Sequence, residues 1–404
     1  MTDTVRPASS RSLVQLKIYN FFVYGSIAVL FAFFPFYFMK AGLSRMEIGM
    51  LMAGGPFVSI IANPMWGYLS DRFQNLRRVI IILLLGNLLA VQAVFHTTSF
   101  GVIYLVMIVF FFFQTPLFSQ SNSLILNTIE GTRYKFGTFR LWGSLGWALL
   151  AVAVGPVIER TGIDRLWIIY SVMLLITLAF TIGLPRGQVA EVPTKFDGRG
   201  YGKVFINPHF TIFVLLGVLI SVPNSMNSTF VSIYISDLGG SETLIGWSAF
   251  FSAIFEIPVF LLFDRFLKKK TNTMVACLAA VSLLFALRWL LMAVAAGPWQ
   301  IIWIQVLHCI TFGGYYYVGT SLTAHLIPSE YRATGQAAFA LTWGGISGIL
   351  AGFIGGWMFQ NLGPAPMYTI SAVVSLLGAA GFVWLWRMIR KAEARTSGTH
   401  SAAV

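Results

Sequence analysis

Charge is what this chain has least of. Of its 404 residues only 10% are charged, against 57% hydrophobic. A soluble globular domain carries about 25% charged residues. So small a charged fraction cannot cover a water-facing surface, which excludes a soluble protein and leaves lipid as the medium for the apolar residues. Acids are the scarcer sign, with 14 Asp and Glu against 27 Lys and Arg and a formal net charge of +13. In a soluble chain that excess would point to nucleic acid. Here the bases sit in short segments between apolar runs, where they act as topology markers, and no nucleic-acid partner is expected. Cysteine is nearly absent. Cys277 and Cys309 lie inside apolar runs without C-x-x-C spacing and offer neither a metal site nor a disulfide. Five His complete a set too sparse for a metal centre or catalytic cluster, so no cofactor, no metal and no enzyme is expected. No cleavable signal peptide is expected, because the first apolar run is long, no small-residue cleavage site follows it, and it reads as a retained first span.

What is present is apolar length. Phe (36) and Gly (38) are abundant, as in membrane helix bundles. A spanning helix needs about 20 mostly apolar residues. Twelve such runs centre near Val29, Val58, Leu85, Phe111, Ala148 and Leu174, then near Gly217, Ile254, Ser282, Cys309, Ile346 and Val374. The expected fold class is an all-α membrane protein of twelve transmembrane helices. An even number puts both termini on one side. Of the 27 Lys and Arg, only Lys40, Arg45, Arg160 and Arg165 fall in the odd-numbered connections, and Arg288 lies within a span. The rest mark the termini and even-numbered connections as cytoplasmic. A multi-pass protein of a bacterial cytoplasmic (inner) membrane is expected, in contact with membrane lipid. The stretch from Pro185 to Pro208 is polar, rich in Gly, Pro and charge, and reads as a cytoplasmic linker. The expected organisation is a six-helix bundle over 1–184, the linker over 185–208, and a second six-helix bundle with a short tail over 209–404.

The two halves echo each other. Asp71-Arg72-Phe73 with Arg77 and Arg78 follows span two; Asp264-Arg265-Phe266 with Lys268 to Lys270 follows span eight. Tyr134, Gly137 and Trp142-Gly143 after span four match Tyr331, Gly335 and Trp343-Gly344 after span ten. Two pseudo-symmetric bundles of this kind are how many secondary transporters are built, with a site near the bilayer midplane. In Gly67-Tyr68-Leu69-Ser70-Asp71-Arg72-Phe73, Gly67 would let two helices approach closely. Asp71, with Arg72, could lock the cytoplasmic ends in one state, and Asp264 with Arg265 would repeat the device as gating residues.

Polar groups inside spans cost about 2.5–3.5 kcal/mol each when charged, so they are few and informative. Glu256, Arg288 and His308 lie in consecutive spans and are expected to share one cavity. A Glu that alternates between an apolar setting and an arginine can take up and release a proton. A static Glu256–Arg288 ion pair is the plainer alternative, and His308 is as readily a core histidine as a titrating one. In the first half, Arg140 and Trp147 are spaced to fall on one helix face, near Asn122, and suit a polar substrate with a flat body. In span seven, Pro223-Asn224-Ser225-Met226-Asn227 reads as a break in the helix at membrane depth, with Asn224 and Asn227 toward a cavity.

These residues carry a resemblance. The segment from Gly67 to Phe73 followed by Arg77-Arg78, with its second-half copy, resembles the cytoplasmic loop motif of the major facilitator superfamily. Phe136-Gly137-Thr138-Phe139-Arg140-Leu141-Trp142-Gly143-Ser144-Leu145-Gly146-Trp147 resembles span five of the lactose permeases, whose sugar-binding Arg and stacking Trp would fall on Arg140 and Trp147. Leu287-Arg288-Trp289, Gln305 to Phe312, and Glu256 with Asp264-Arg265 behind it resemble the phenylpropionate permease family. The resemblance runs nearly end to end. It implies the major facilitator fold and proton-coupled symport, by alternating access, of a small solute such as a sugar, a nucleoside-like compound or an aromatic acid. Proton coupling would use Glu256, Arg288 and His308, and substrate would meet Arg140, Asn122, Trp147, Asn224, Asn227 and Gln305. The departures are specific. Asn122 stands where the lactose permeases have a carboxylate, so galactosides are not implied, and their coupling Glu and a Lys have no counterpart near Thr311 and Gln305. A drug or metabolite exporter of the same fold is the main rival. A membrane enzyme or sensor would need catalytic groups or an added domain that the chain does not display. The partners expected are protons and a small-molecule substrate, with the chain as a monomer.

Overall fold

The computed structural model describes residues 10–185 apart from 131 and 133, and residues 204–401 apart from 268 and 269. Most of the expected linker, and Lys268 and Lys269 of the repeated loop, fall outside the described residues. Twelve helices among the described residues are long and apolar enough to cross a membrane. They are α1 (Ser12–Lys40), α2 (Arg45–Phe73), α3 (Leu76–Phe95), α4 (Phe100–Ile129), α5 (Phe136–Thr161), α6 (Ile163–Ile182), α7 (Pro208–Asp237), α8 (Glu242–Phe266), α9 (Thr271–Ala293), α10 (Pro298–Leu326), α11 (Thr334–Asn361) and α12 (Pro364–Lys391). Helical backbone meets its hydrogen bonds within one segment, the condition for crossing a hydrocarbon layer. Ends are set by local chemistry. Ser44 and Glu47 form a reciprocal capping box at the start of α2, and Gln74 closes it in the left-handed conformation.

Three spans are interrupted. Pro116 divides α4 at Thr115, and α11 widens into a looser turn over Leu341–Ile346, between regular helix on either side. In α8 the first helical piece ends at Ile254 and the second begins at Glu256, with Phe255 between them. Pro258 explains the joint: it has no N–H for the carbonyl of Ile254, and its ring crowds that carbonyl. Span seven differs from its sequence expectation. α7 is a continuous helix from Pro208 to Asp237 with Pro223 inside it, not a broken one. A single proline frees only one carbonyl, here that of Leu219, and the helix carries on past it.

The helices gather into two compact units. One holds α1 to α6 together with Thr229–Ile254; the other holds the remainder of α7 and α8 with α9 to α12. In the first unit α1 and α5 lie very close. A Cβ on Gly146 would sit 1.9 Å from the carbonyl oxygen of Phe21, so no other residue fits at that crossing. The start of α8 packs on α5 by the same means, since a Cβ on Gly246 would lie 2.6 Å from the carbonyl oxygen of Ala151. Close approach through small residues is how helices associate in lipid. Beside that contact Arg45 pairs with Asp237 at 2.9 Å, and the Glu159 carboxylate accepts the N–H of Thr243. Gly67 does not act this way, because the space beside it is open.

Candidate functional site

In the second unit three polar side chains meet on α8, α9 and α10. Arg288 is fully buried. Its Nη2 donates to Gln305 Oε1 at 2.5 Å, and its Nη1 to His308 Nδ1 at 3.0 Å and Thr311 Oγ1 at 3.4 Å. Its guanidinium lies 4.6 Å from the Trp289 ring centre, while its Nε finds no acceptor among the described residues. A guanidinium only donates, so the Nδ1 facing it is the accepting nitrogen of a neutral imidazole, and the ring proton sits on Nε2. That Nε2 points toward Glu256, 3.9 Å from its Oε1. Phe312 stacks on the imidazole at 4.9 Å and 7°. Glu256 is the first residue of the second helical piece of α8, where unpaired backbone N–H groups favour a negative charge.

The expected trio is therefore brought together, but not as a static Glu256–Arg288 pair. The imidazole stands between carboxylate and guanidinium. Gln305 is buried and bound to Arg288. Asn227 Oδ1 accepts from the Tyr368 hydroxyl at 3.1 Å, while the Oδ1 of buried Asn224 has no hydrogen-bond partner among the described residues.

In the first unit Arg140 is held by rings. Its guanidinium lies 4.3 Å from the centre of the Tyr24 ring and 5.4 Å from that of Phe118. No carboxylate or other acceptor bonds it among the described residues. The Tyr24 hydroxyl reaches past it to donate to Asn122 Oδ1 at 3.0 Å. One step further along the same pair of helices, Trp147 stacks on Phe31 with centres 6.0 Å apart. The expected gating residues lie at helix ends. Asp71 and Arg72 are exposed, with no side-chain partner among the described residues. Asp264 accepts from the Tyr317 hydroxyl at 2.8 Å, and Arg265 lies over Phe266.

Sequence reasoning missed Tyr24, Phe118 and Phe31, which come from α1 and α4 and carry no local motif. It also missed the joint at Phe255, for which Pro258 was the available signal. No group of three or more His, Cys, Asp or Glu side chains placed to hold a metal occurs among the described residues, and neither Cys277 nor Cys309 forms a disulfide there.

Comparison with known proteins agrees with this architecture. Residues 13–370 match the model of the MFS_1 like family. The chain belongs to that family. The maltose permease of Geobacillus stearothermophilus is 24% identical, over 95% of this chain and 97% of its own. The probable 3-phenylpropionic acid transporter of Escherichia coli (strain K12) is 24% identical, over 91% and 96%. A crystal structure of the nucleoside transporter NupG superposes with a TM-score of 0.79 at 17% identity, over 92% of this chain and 98% of that one. The MFS_1 like protein described here is thus a multi-pass membrane transporter with the major facilitator fold, and transport, not catalysis, is what its relatives do.

Proposed function

We propose that the protein imports a small organic solute together with protons, by alternating access, across the bacterial cytoplasmic membrane. Glu256 carries the proton. Arg288 and His308 set how tightly it is held, and Arg140, Asn122 and Trp147 contact the substrate. The observation that carries this reading is the arrangement of Glu256 beside a neutral imidazole whose other nitrogen is occupied by a buried arginine. A carboxylate separated from its countercharge by one rotatable ring has two settings. With the ring in place it faces a neutral donor; with the ring turned away it can meet Arg288. Those settings favour different protonation states, which is what coupling needs. The excess of Lys and Arg in the even-numbered connections supports cytoplasmic termini. Asp71, Arg72, Asp264 and Arg265 serve as the cytoplasmic gate in this reading, and one chain is the working unit.

The test is substrate-dependent pH change in proteoliposomes, over a panel of sugars, nucleosides and aromatic acids, with Glu256→Gln beside the native protein. Inward proton movement with at least one compound, lost in Glu256→Gln while counterflow exchange persists, supports both parts. Proton movement that survives Glu256→Gln removes Glu256 from the role. Transport of a compound without any proton movement overturns symport and leaves uniport or export.

A further inference from the structure

The tryptophan of the repeated Trp-Gly pair is treated differently in the two halves. Trp142 stands on an unbroken stretch of α5 and is 37% exposed. Trp343 stands on the looser turn of α11 and is 9% exposed. That turn closes with a five-residue step, in which the N–H and the hydroxyl of Ser347 both donate to the carbonyl of Thr342. Ser347 is itself fully buried, its Oγ 2.5 Å from that of Ser221 on α7. Such turns are rare inside helices and gather at functional sites. Here the turn presents its tryptophan to rings of α10. Trp343 stacks on Tyr315 at 4.7 Å and 20°, and its ring centre lies 5.9 Å from that of Phe312. Phe312 in turn stacks on the His308 imidazole, the ring that stands between Glu256 and Arg288. One turn of α11 is thus tied to α7 through Ser347 and leans on the proposed coupling site through Trp343 and Phe312. Returning it to regular helix would rotate one flank by about 100° and shift it about 1.5 Å against the other. The Ser347 tie and the Trp343 stack would not both survive that change.

We infer that Trp343 is a positioning residue for His308: held inward by the looser turn of α11, it backs Phe312 and keeps the imidazole between Glu256 and Arg288, and straightening of that turn lets the ring swing away. This rests on the proposed role of Glu256, Arg288 and His308 in coupling, and it supplies the element that moves the ring between its two settings.

The experiment takes two readouts from the purified, reconstituted protein. The first is acylation of His308 by diethyl pyrocarbonate, followed by mass spectrometry of the peptide that carries it. It reports the position of the ring and needs no transport. The second is proton movement per molecule of substrate, with whichever sugar, nucleoside or aromatic acid of the panel drives uptake. The variants are Trp343→Leu, Trp343→Phe and Ser347→Ala, with Trp142→Leu as the control from the other half. Unfolding midpoint and counterflow exchange are measured for each. Trp343→Leu should raise His308 acylation about 10-fold, the population shift that loss of an aromatic pair allows, and lower protons moved per substrate while counterflow persists. Trp343→Phe keeps a ring against Phe312 and should restore most of both. Ser347→Ala releases the turn from α7 and should raise acylation about 5-fold, the effect of one hydrogen bond. Trp142→Leu should change neither readout. If Trp343→Leu fails to fold, Ser347→Ala decides, because it leaves every ring in place. Acylation at the native rate in the folded variants overturns the inference, as does raised acylation with the native number of protons per substrate. If the native protein moves substrate without protons, the coupling reading fails on its own, and raised acylation in Trp343→Leu still upholds the hold of Trp343 on His308.

Discussion

Arg140 and Arg288 are both arginines inside membrane helices, and the protein treats them in opposite ways. Arg288 is fully buried, and both its terminal nitrogens are bonded, to Gln305, His308 and Thr311. Arg140 is half-buried, steadied by two ring faces, and bonded to nothing among the described residues. A charge that the fold itself surrounds with acceptors is part of the fold and of whatever changes inside it. A charge that the fold positions without bonding has its bonds reserved for something that arrives. On the proposed reading the same side chain serves coupling in one unit and binding in the other.

The largest test of that difference is truncation of each arginine. Arg288→Ala should cost about 3–5 kcal/mol, because it leaves a cavity and strands acceptors on Gln305 and His308 in a dry site. Arg140→Ala should cost less than about 1 kcal/mol, the size of a partly exposed contact between a cation and a ring. Thermal unfolding in one detergent measures both. Equal losses would erase the contrast. The second test adds ligand. At about 100 times its Kd a ligand stabilises the folded state by about 2.7 kcal/mol. Whichever sugar, nucleoside or aromatic acid of the panel drives uptake should raise the unfolding midpoint of the native protein accordingly and leave that of Arg140→Ala unmoved. A shift preserved in Arg140→Ala would place the ligand elsewhere.

How much of this was legible beforehand follows from the same physics. The spans were legible because lipid demands long apolar runs, and Glu256, Arg288 and His308 stood out because a charge at that depth is expensive. Gln305 was legible as polar but not as the partner of Arg288, since only the packing of α9 on α10 aims one at the other. Tyr24 was silent: an aromatic in an apolar run carries no signal until α1 is laid against α5. Pro223 and Pro258 show where local rules stop. Both remove one backbone bond, yet α7 continues through the first and α8 is interrupted before the second. Gly67 and Gly146 make the same point, one beside open space and the other against the Phe21 backbone.

A smaller effect sharpens the account of Arg288. Gln305→Leu removes one of its acceptors and should cost about 1.5 kcal/mol, the lower end for a hydrogen bond to a charged group. Gln305→Glu should instead keep stability and disturb coupling, because it gives Arg288 a carboxylate other than Glu256. The readout is substrate-driven proton movement at matched expression. Intact coupling in Gln305→Glu would mean that the charge balance around Arg288 does not govern the proton on Glu256.

The smallest expected effect belongs to a third arginine. Arg45 has the full ionic partner that Arg140 and Arg288 both lack, Asp237 at 2.9 Å, yet the two side chains remain 35% and 32% exposed. Water and salt screen such a pair, and exposed pairs contribute about 0–1 kcal/mol. Arg45→Ala should therefore move the unfolding midpoint least of the three arginines, and that small shift should vanish as salt rises from about 0.01 to 1 M and the screening length falls from about 30 to 3 Å. The shift from Arg288→Ala should persist across the same range, because no ions reach it. If the Arg45 variant proved as damaging as the Arg288 variant at every salt concentration, the ranking by burial and hydrogen-bond saturation would fail, and proximity to a carboxylate would have to replace it.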